Sequence, residues 1–258
     1  MFRTSIVIPV ALAGILVNST SGAEQSPYAD PQWQQAVDKA IESYILSHPE
    51  VIEKTLQTLE TKRQAEEQER VKAVIAARRP ELLNDAASPV SGNLKGDITV
   101  VEFFDYRCGF CKRVAGAVTQ LQADDVQVRV VYKDLPILGE ASELAAKAAL
   151  ASKAQGRHQT FHEALLAAKG DVTKEVVLRI AGEVGLDPQR LETDMENPEW
   201  VTIIERNRAL AKELGIGGTP AFVVGNELVP GTMDLNGLKE LVSRVRASMV
   251  RSPNPTSP

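Results

Sequence analysis

Trp33, Val37, Ile41, Tyr44 and Ile45 recur at helical spacing and give one apolar face. This periodicity predicts helix across residues 29–79. A restart is expected at Ser47-His48-Pro49-Glu50. Ser47 reads as an N-cap, Pro49 suits a first turn, and Glu50 completes a capping box. Val51, Ile52, Leu56 and Leu59 continue the apolar stripe, whereas Thr61 to Arg70 is almost wholly polar and charged. A long helix of that kind cannot bury much of itself within its own domain. It either associates with copies of itself, which is the expectation here, or folds back on the rest of the chain. Pro80 is expected to end it. Asn84 to Gly96, with Ser88-Pro89, Gly92 and Gly96, reads as a linker.

From Asp97 the pattern changes period. Thr99 to Phe104 is apolar, β-branched and aromatic, as in a buried strand. Cys108 to Gln122 is expected to be a helix with Val114, Val118 and Leu121 on one face, and Val126 to Tyr132 a second strand. Ala141 to about Leu214 is helix-like, broken at Gly170-Asp171 and at Gly185-Leu186-Asp187-Pro188. Gly225-Asn226 separates Ala221–Val224 from Glu227–Val229, which predicts a hairpin. Leu235 to Met249 closes as an amphipathic helix, and a Pro- and Ser-rich tail follows over 251–258. The order implies an α/β, thioredoxin-like fold. Its helical insertion spans about 137–214, a helical extension precedes it over 24–84, and the domain proper occupies 85–250.

Composition changes this picture in two ways. The net charge of −5 argues against nucleic acid as a partner. The start of the chain reads as an export signal, with Arg3 as its positive region, Ile6 to Val17 as a short apolar stretch, and Ser21-Gly22-Ala23 as a cleavage site. The expectation is a signal over residues 1–23 and a mature chain from Glu24 in an oxidising compartment.

The chain has two cysteines, and they stand as Cys108-Gly109-Phe110-Cys111 where the first strand gives way to a helix. A helix N-terminus carries partial positive charge and free N–H groups, so it favours a thiolate on the first cysteine. Arg107 adds to that. Cys108 is therefore the expected nucleophile, partly exposed, with Cys111 more buried as the resolving thiol. A disulfide closing so short a loop would constrain the unfolded chain little, which disfavours a purely structural bridge.

Glu102 is out of place in a buried strand. Burial would raise its pKa and let it relay a proton during exchange. The alternative is an ion pair with Lys133 on the neighbouring strand. His158 and His162 lie four apart on a helix. They could join the cysteines in a two-Cys, two-His zinc site, but two helix-surface histidines fit the spacing better. No metal and no cofactor is expected, and His48 reads as a helix-start residue.

The run Val101-Glu102-Phe103-Phe104-Asp105-Tyr106-Arg107-Cys108-Gly109-Phe110-Cys111-Lys112, followed far downstream by Gly217-Gly218-Thr219-Pro220-Ala221-Phe222, resembles the DsbA-like family of periplasmic thiol–disulfide oxidoreductases. The resemblance covers roughly Asp85 to Met249. It implies that Pro220 is cis and lies beside the dithiol. It also implies that Thr219 offers its backbone to an extended substrate, and that Glu102 is the family's buried acid. Threonine at position 219 is similar to isomerases and reductases. The most oxidising members carry Pro-His between the cysteines, where this chain has Gly109-Phe110, so a strongly oxidising poise is not implied. Tyr44-Ile45-Leu46-Ser47-His48-Pro49-Glu50-Val51-Ile52 resembles the subgroup of suppressor-of-copper-sensitivity protein C and Com1-type outer-membrane proteins.

The function expected on these grounds is a periplasmic disulfide isomerase or reductase. It would act on exported proteins that carry cysteines, be maintained by a membrane redox partner, and form a homo-oligomer through 24–84. Two alternatives stay open: a dithiol protein handling Cu(I), a soft ion suited to thiolates, and a monomeric dithiol oxidase.

Overall fold

The structure is a computed structural model, and it describes residues 30–251. The expected export signal and the tail from Ser252 onward lie outside the described residues. Two compact units divide at Lys62/Arg63.

The first unit holds helix α1 (Pro31–Ser47) and the opening of α2 (Pro49–Ala77). Asp30 caps α1 by accepting the Gln32 amide at 2.9 Å, and Pro31 occupies the first turn. Ser47 does not cap α2. Its hydroxyl turns back to the Ser43 and Tyr44 carbonyls, and the His48 ring meets Glu50 at 3.0 Å instead. Trp33, Ile41, Tyr44, Ile45, Ile52, Leu56 and Leu59 are all exposed, and α1 buries no residue.

The second unit begins inside α2. Val71 and Ile75 are buried with Leu82 of α3 (Arg79–Leu83), so residues 71–82 belong to the core of this unit. Helix α2 ends at Ala77, three residues before Pro80, and Pro80 itself sits in the first turn of α3, where a missing N–H costs nothing. The expected linker contains a short strand, β1 (Val90–Gly92). The sheet continues with β2 (Ile98–Phe104), β3 (Val128–Asp134), β4 (Ala221–Val224) and β5 (Glu227–Pro230), in the order β1-β3-β2-β4-β5. Strands β2 and β3 are parallel, joined through α4 (Gly109–Asp124), and the other pairings are antiparallel.

Side chains alternate across the sheet. Val101, Phe103 and Val131 share one face with Val71, Ile75, Leu82, Leu210 and Leu214. Ile98, Val100, Phe104, Val128, Val130 and Tyr132 share the other with Cys111, Val114 and Val118 of α4. The insertion is helical as expected: α5 (Glu140–Ser152), α6 (His158–Ala167), α7 (Lys174–Glu183), α8 (Pro188–Asp194) and α9 (Glu199–Leu214). Gly170 and Gly185 mark its breaks at φ +79°. Helix α10 (Leu235–Arg251) packs on α4. No helix among the described residues is long and apolar enough to cross a membrane.

Candidate redox site

Cys108 is the N-cap of α4, and Cys111 lies in its first turn with both thiols free. Cys108 is only 7% exposed, less than its sequence context implies, and Cys111 is fully buried. The Thr219–Pro220 bond is cis, and the Thr219 carbonyl accepts the Cys108 thiol at 3.2 Å. The two motifs, far apart in sequence, are thus joined at the sulfur.

Burial works against a Cys108 thiolate. Hydrogen bonds from the Thr219 side chain, the Cys111 amide and thiol, and the Phe110 amide outweigh it, so the thiol is lowered from its ordinary value. Arg107 is not one of these groups. Its guanidinium is committed to the Leu138 carbonyl at 2.6 Å. Burial pushes the Cys111 thiol well up. The two sulfurs are thus shifted in opposite directions, Cys108 toward the thiolate and Cys111 toward the thiol. Phe110 is 56% exposed between them, with the Arg113 guanidinium 4.3 Å above its ring.

Glu102 alternates onto the sheet face that α4 covers. It is 1% exposed, its Oε1 has no partner, and burial raises its carboxyl to about 8. Lys133 does not reach it. Lys133 stands opposite Phe103 in the ladder and so points to the other face. There its ammonium donates to the Glu81 carbonyl and Ser88 hydroxyl and pairs with Asp85 at 3.3 Å. Strand parity thus removes the ion-pair alternative for Glu102.

His158 and His162 are buried rather than on the helix surface. Their rings stack 5.6 Å apart, and His162 Nδ1 meets the Tyr106 hydroxyl at 2.9 Å. Burial lowers His162 to about 3 and His158 well below its usual range, so both are neutral. Among the described residues no cluster of three His, Cys, Asp or Glu side chains is placed to hold a metal. The zinc arrangement therefore does not form.

Two groups near the site carried no sequence signal strong enough to single them out. Asp134, at the end of β3, is a second buried carboxyl without partners, raised by burial to about 8. Asp105, three residues before Cys108, is buried and fully hydrogen-bonded.

Residues 99–243 match the DSBA-like thioredoxin domain family, and residues 34–66 match the copper resistance protein ScsC N-terminal domain. A thioredoxin-like oxidoreductase from Silicibacter pomeroyi DSS-3 is 49% identical, with a TM-score of 0.64, over 66% of this chain and 98% of its own. Proteus mirabilis ScsC in a transitional conformation is 27% identical, also with a TM-score of 0.64, over 85% of this chain and 99% of its own. The Na(+)/H(+) antiporter NhaA 3 of Salinispora tropica is 29% identical over 161 residues, which is 62% of this chain and 25% of the antiporter. The chain thus spans about a quarter of the length of the antiporters it matches.

Proposed function

The chain belongs to the DSBA-like thioredoxin domain family of thiol–disulfide oxidoreductases, and on that premise we propose that it is a periplasmic disulfide isomerase or reductase. The observation that carries this reading is the contact of Cys108 with the Thr219 carbonyl beside cis-Pro220. The nucleophile and the strand-like edge that would hold an extended substrate are adjacent.

The Cys108 thiolate attacks one sulfur of a substrate disulfide. The S–S bond breaks, the departing sulfur leaves as a thiolate and takes a proton, and a mixed disulfide remains. Cys111 then loses its proton to the ionised form of Glu102 and attacks the Cys108 sulfur. This frees the substrate's second thiolate, which is protonated. The substrate is reduced and the Cys108–Cys111 pair oxidised. In isomerisation a substrate thiolate resolves the mixed disulfide instead, and Cys108 returns reduced with no net electron transfer. A membrane redox partner restores the dithiol after each reductive turn. Export to the periplasm rests on the leader pattern of residues 1–23.

Self-association through the N-terminal helices supports isomerase over oxidase work, because several dithiols would surround one cleft. The exposed stripe of α1 and early α2 supports it, as does the match of residues 34–66. Since residues 71–82 serve the catalytic core, the associating part ends near Lys62. The test compares the intact mature protein with an Ile45→Asp/Ile52→Asp variant. We expect the variant to become monomeric by light scattering, to reduce insulin normally and to lose refolding of scrambled ribonuclease. A monomeric wild type at micromolar concentration contradicts the oligomeric isomerase and leaves a monomeric oxidoreductase or oxidase.

The copper reading draws on the ScsC N-terminal match and on the softness of a thiolate pair. Titration of the reduced protein with Cu(I) in competition with a chelator, in wild type and Cys111→Ser, decides it.

A further inference from the structure

Asp105 directly follows β2 and is 2% exposed. Its carboxylate accepts four hydrogen bonds. Oδ1 takes the Arg107 amide at 2.7 Å and the Ser142 hydroxyl at 2.8 Å. Oδ2 takes the Ile137 amide at 2.8 Å and the Leu138 amide at 3.1 Å. Its backbone serves both cysteines. The carbonyl accepts the Cys108 amide at 3.1 Å, and the amide faces the Cys111 thiol. The Arg107 guanidinium, on the Leu138 carbonyl, is a second clasp between the same two segments.

We propose that Asp105 is a positioning residue for the dithiol: its carboxylate ties the turn 105–108 to the segment 137–142 and thereby aims the first turn of α4 at the Cys108 sulfur. The proposal rests on the reading of Cys108 as the nucleophile.

The stabilising donors at Cys108 include the amides of Phe110 and Cys111, which point correctly only if α4 starts at Cys108. That start is set by the two residues before it, Tyr106 and Arg107. The Arg107 amide is held by Asp105. The anchor for Asp105 comes from outside the turn, from Ile137, Leu138 and Ser142. Leu135 donates its amide to the Phe104 carbonyl at 2.8 Å, which carries the β2–β3 pairing up to this clasp. A buried acceptor removed from such a site leaves its donors unpaired, and each unpaired buried donor is costly. The cheapest relief is for the turn to shift.

Asp105→Asn keeps the shape but places an N–H2 group against amides that are themselves donors. Reduced full-length protein is titrated by thiolate absorbance in wild type, Asp105→Asn and Ser91→Ala. Ser91→Ala removes a buried hydroxyl on β1 and serves as a control for lost stability alone. We expect the Cys108 midpoint to rise by about one pH unit in Asp105→Asn, a tenfold smaller thiolate fraction below both midpoints. The rate with a small disulfide at fixed pH should fall with it. Ser91→Ala should lower the melting temperature and leave the midpoint in place. An Asp105→Asn midpoint equal to that of wild type overturns the proposal. If that variant does not fold, hydrogen exchange at the wild-type Arg107 amide decides: protection supports the clasp, and exchange at the rate of a free amide overturns it. A wild-type Cys108 midpoint at or above about 8.5 contradicts the nucleophile reading itself, which separates the two failures.

Discussion

The arm before Lys62 and the unit after Arg63 use similar residues in opposite ways. In the arm, Trp33, Ile41, Tyr44, Ile45 and Leu56 lie exposed along a helical stripe. In the second unit, Val71 and Ile75, on the same helix α2, are buried against the sheet. Helical periodicity looks alike in both places. What differs is burial: the sheet of the second unit covers Val71 and Ile75, whereas the apolar stripe of the arm stays exposed.

Truncation separates the two regions most sharply. Ile75→Ala should cost about 2–5 kcal/mol in urea unfolding, the usual range for emptying a buried aliphatic site. Ile41→Ala should change unfolding of the catalytic unit by less than about 0.5 kcal/mol while reducing the assembled mass in light scattering. Equal losses of stability from both would show that the arm and the second unit bury these side chains alike.

Acidity distinguishes the regions next, because the buried Glu102 and His162 both lie in the second unit. Burial raises Glu102 from 4.5 to about 8. Between those values the unfolded chain releases this proton and the folded chain keeps it, so stability falls as pH rises through the window. Burial lowers His162 from 6.5 to about 3. There the unfolded chain gains a proton as pH falls and the folded chain does not, so stability also falls toward acid. Glu102→Gln should make the decline between pH 4.5 and 8 shallower in denaturant unfolding, with the buried Asp134 carboxyl supplying the slope that remains, and should leave the His162 contribution toward acid unchanged. A decline identical to that of wild type would remove Glu102 as the buried acid.

The smallest effect is expected at the rim of the dithiol. Arg113→Ala removes the cation over Phe110, an interaction worth about 0.5–1 kcal/mol at an exposed site. Thermal unfolding should register a change of that order, and the Cys108 midpoint should not move. A moved midpoint would mean that Arg113 helps hold the thiolate.

The strands β2 to β5, the dithiol helix and the breaks of the insertion were legible because each rests on local pattern: apolar, β-branched and aromatic runs, Gly-Asn at the hairpin, glycines at the helix breaks. Strand β1 was hidden because three edge residues after Pro89 carry little periodicity of their own. His158 and His162 share a helix face with Phe161 and Leu165, so the inward stripe was present in the sequence. The polarity of imidazole masked it. Asp105 could not be read locally at all. Three of its four donors come from Ile137, Leu138 and Ser142, and only folding brings them to it.

Cys108 is assigned as the attacking sulfur and Cys111 as the resolving one, and a trapping experiment tests that assignment. Reduced Cys111→Ser and Cys108→Ser proteins are each mixed with a disulfide-bonded polypeptide, quenched with acid and mapped by peptide mass spectrometry. A stable mixed disulfide is expected on Cys108 in the first variant and none in the second. Adducts forming on Cys111 in Cys108→Ser as fast as on Cys108 in Cys111→Ser would contradict it.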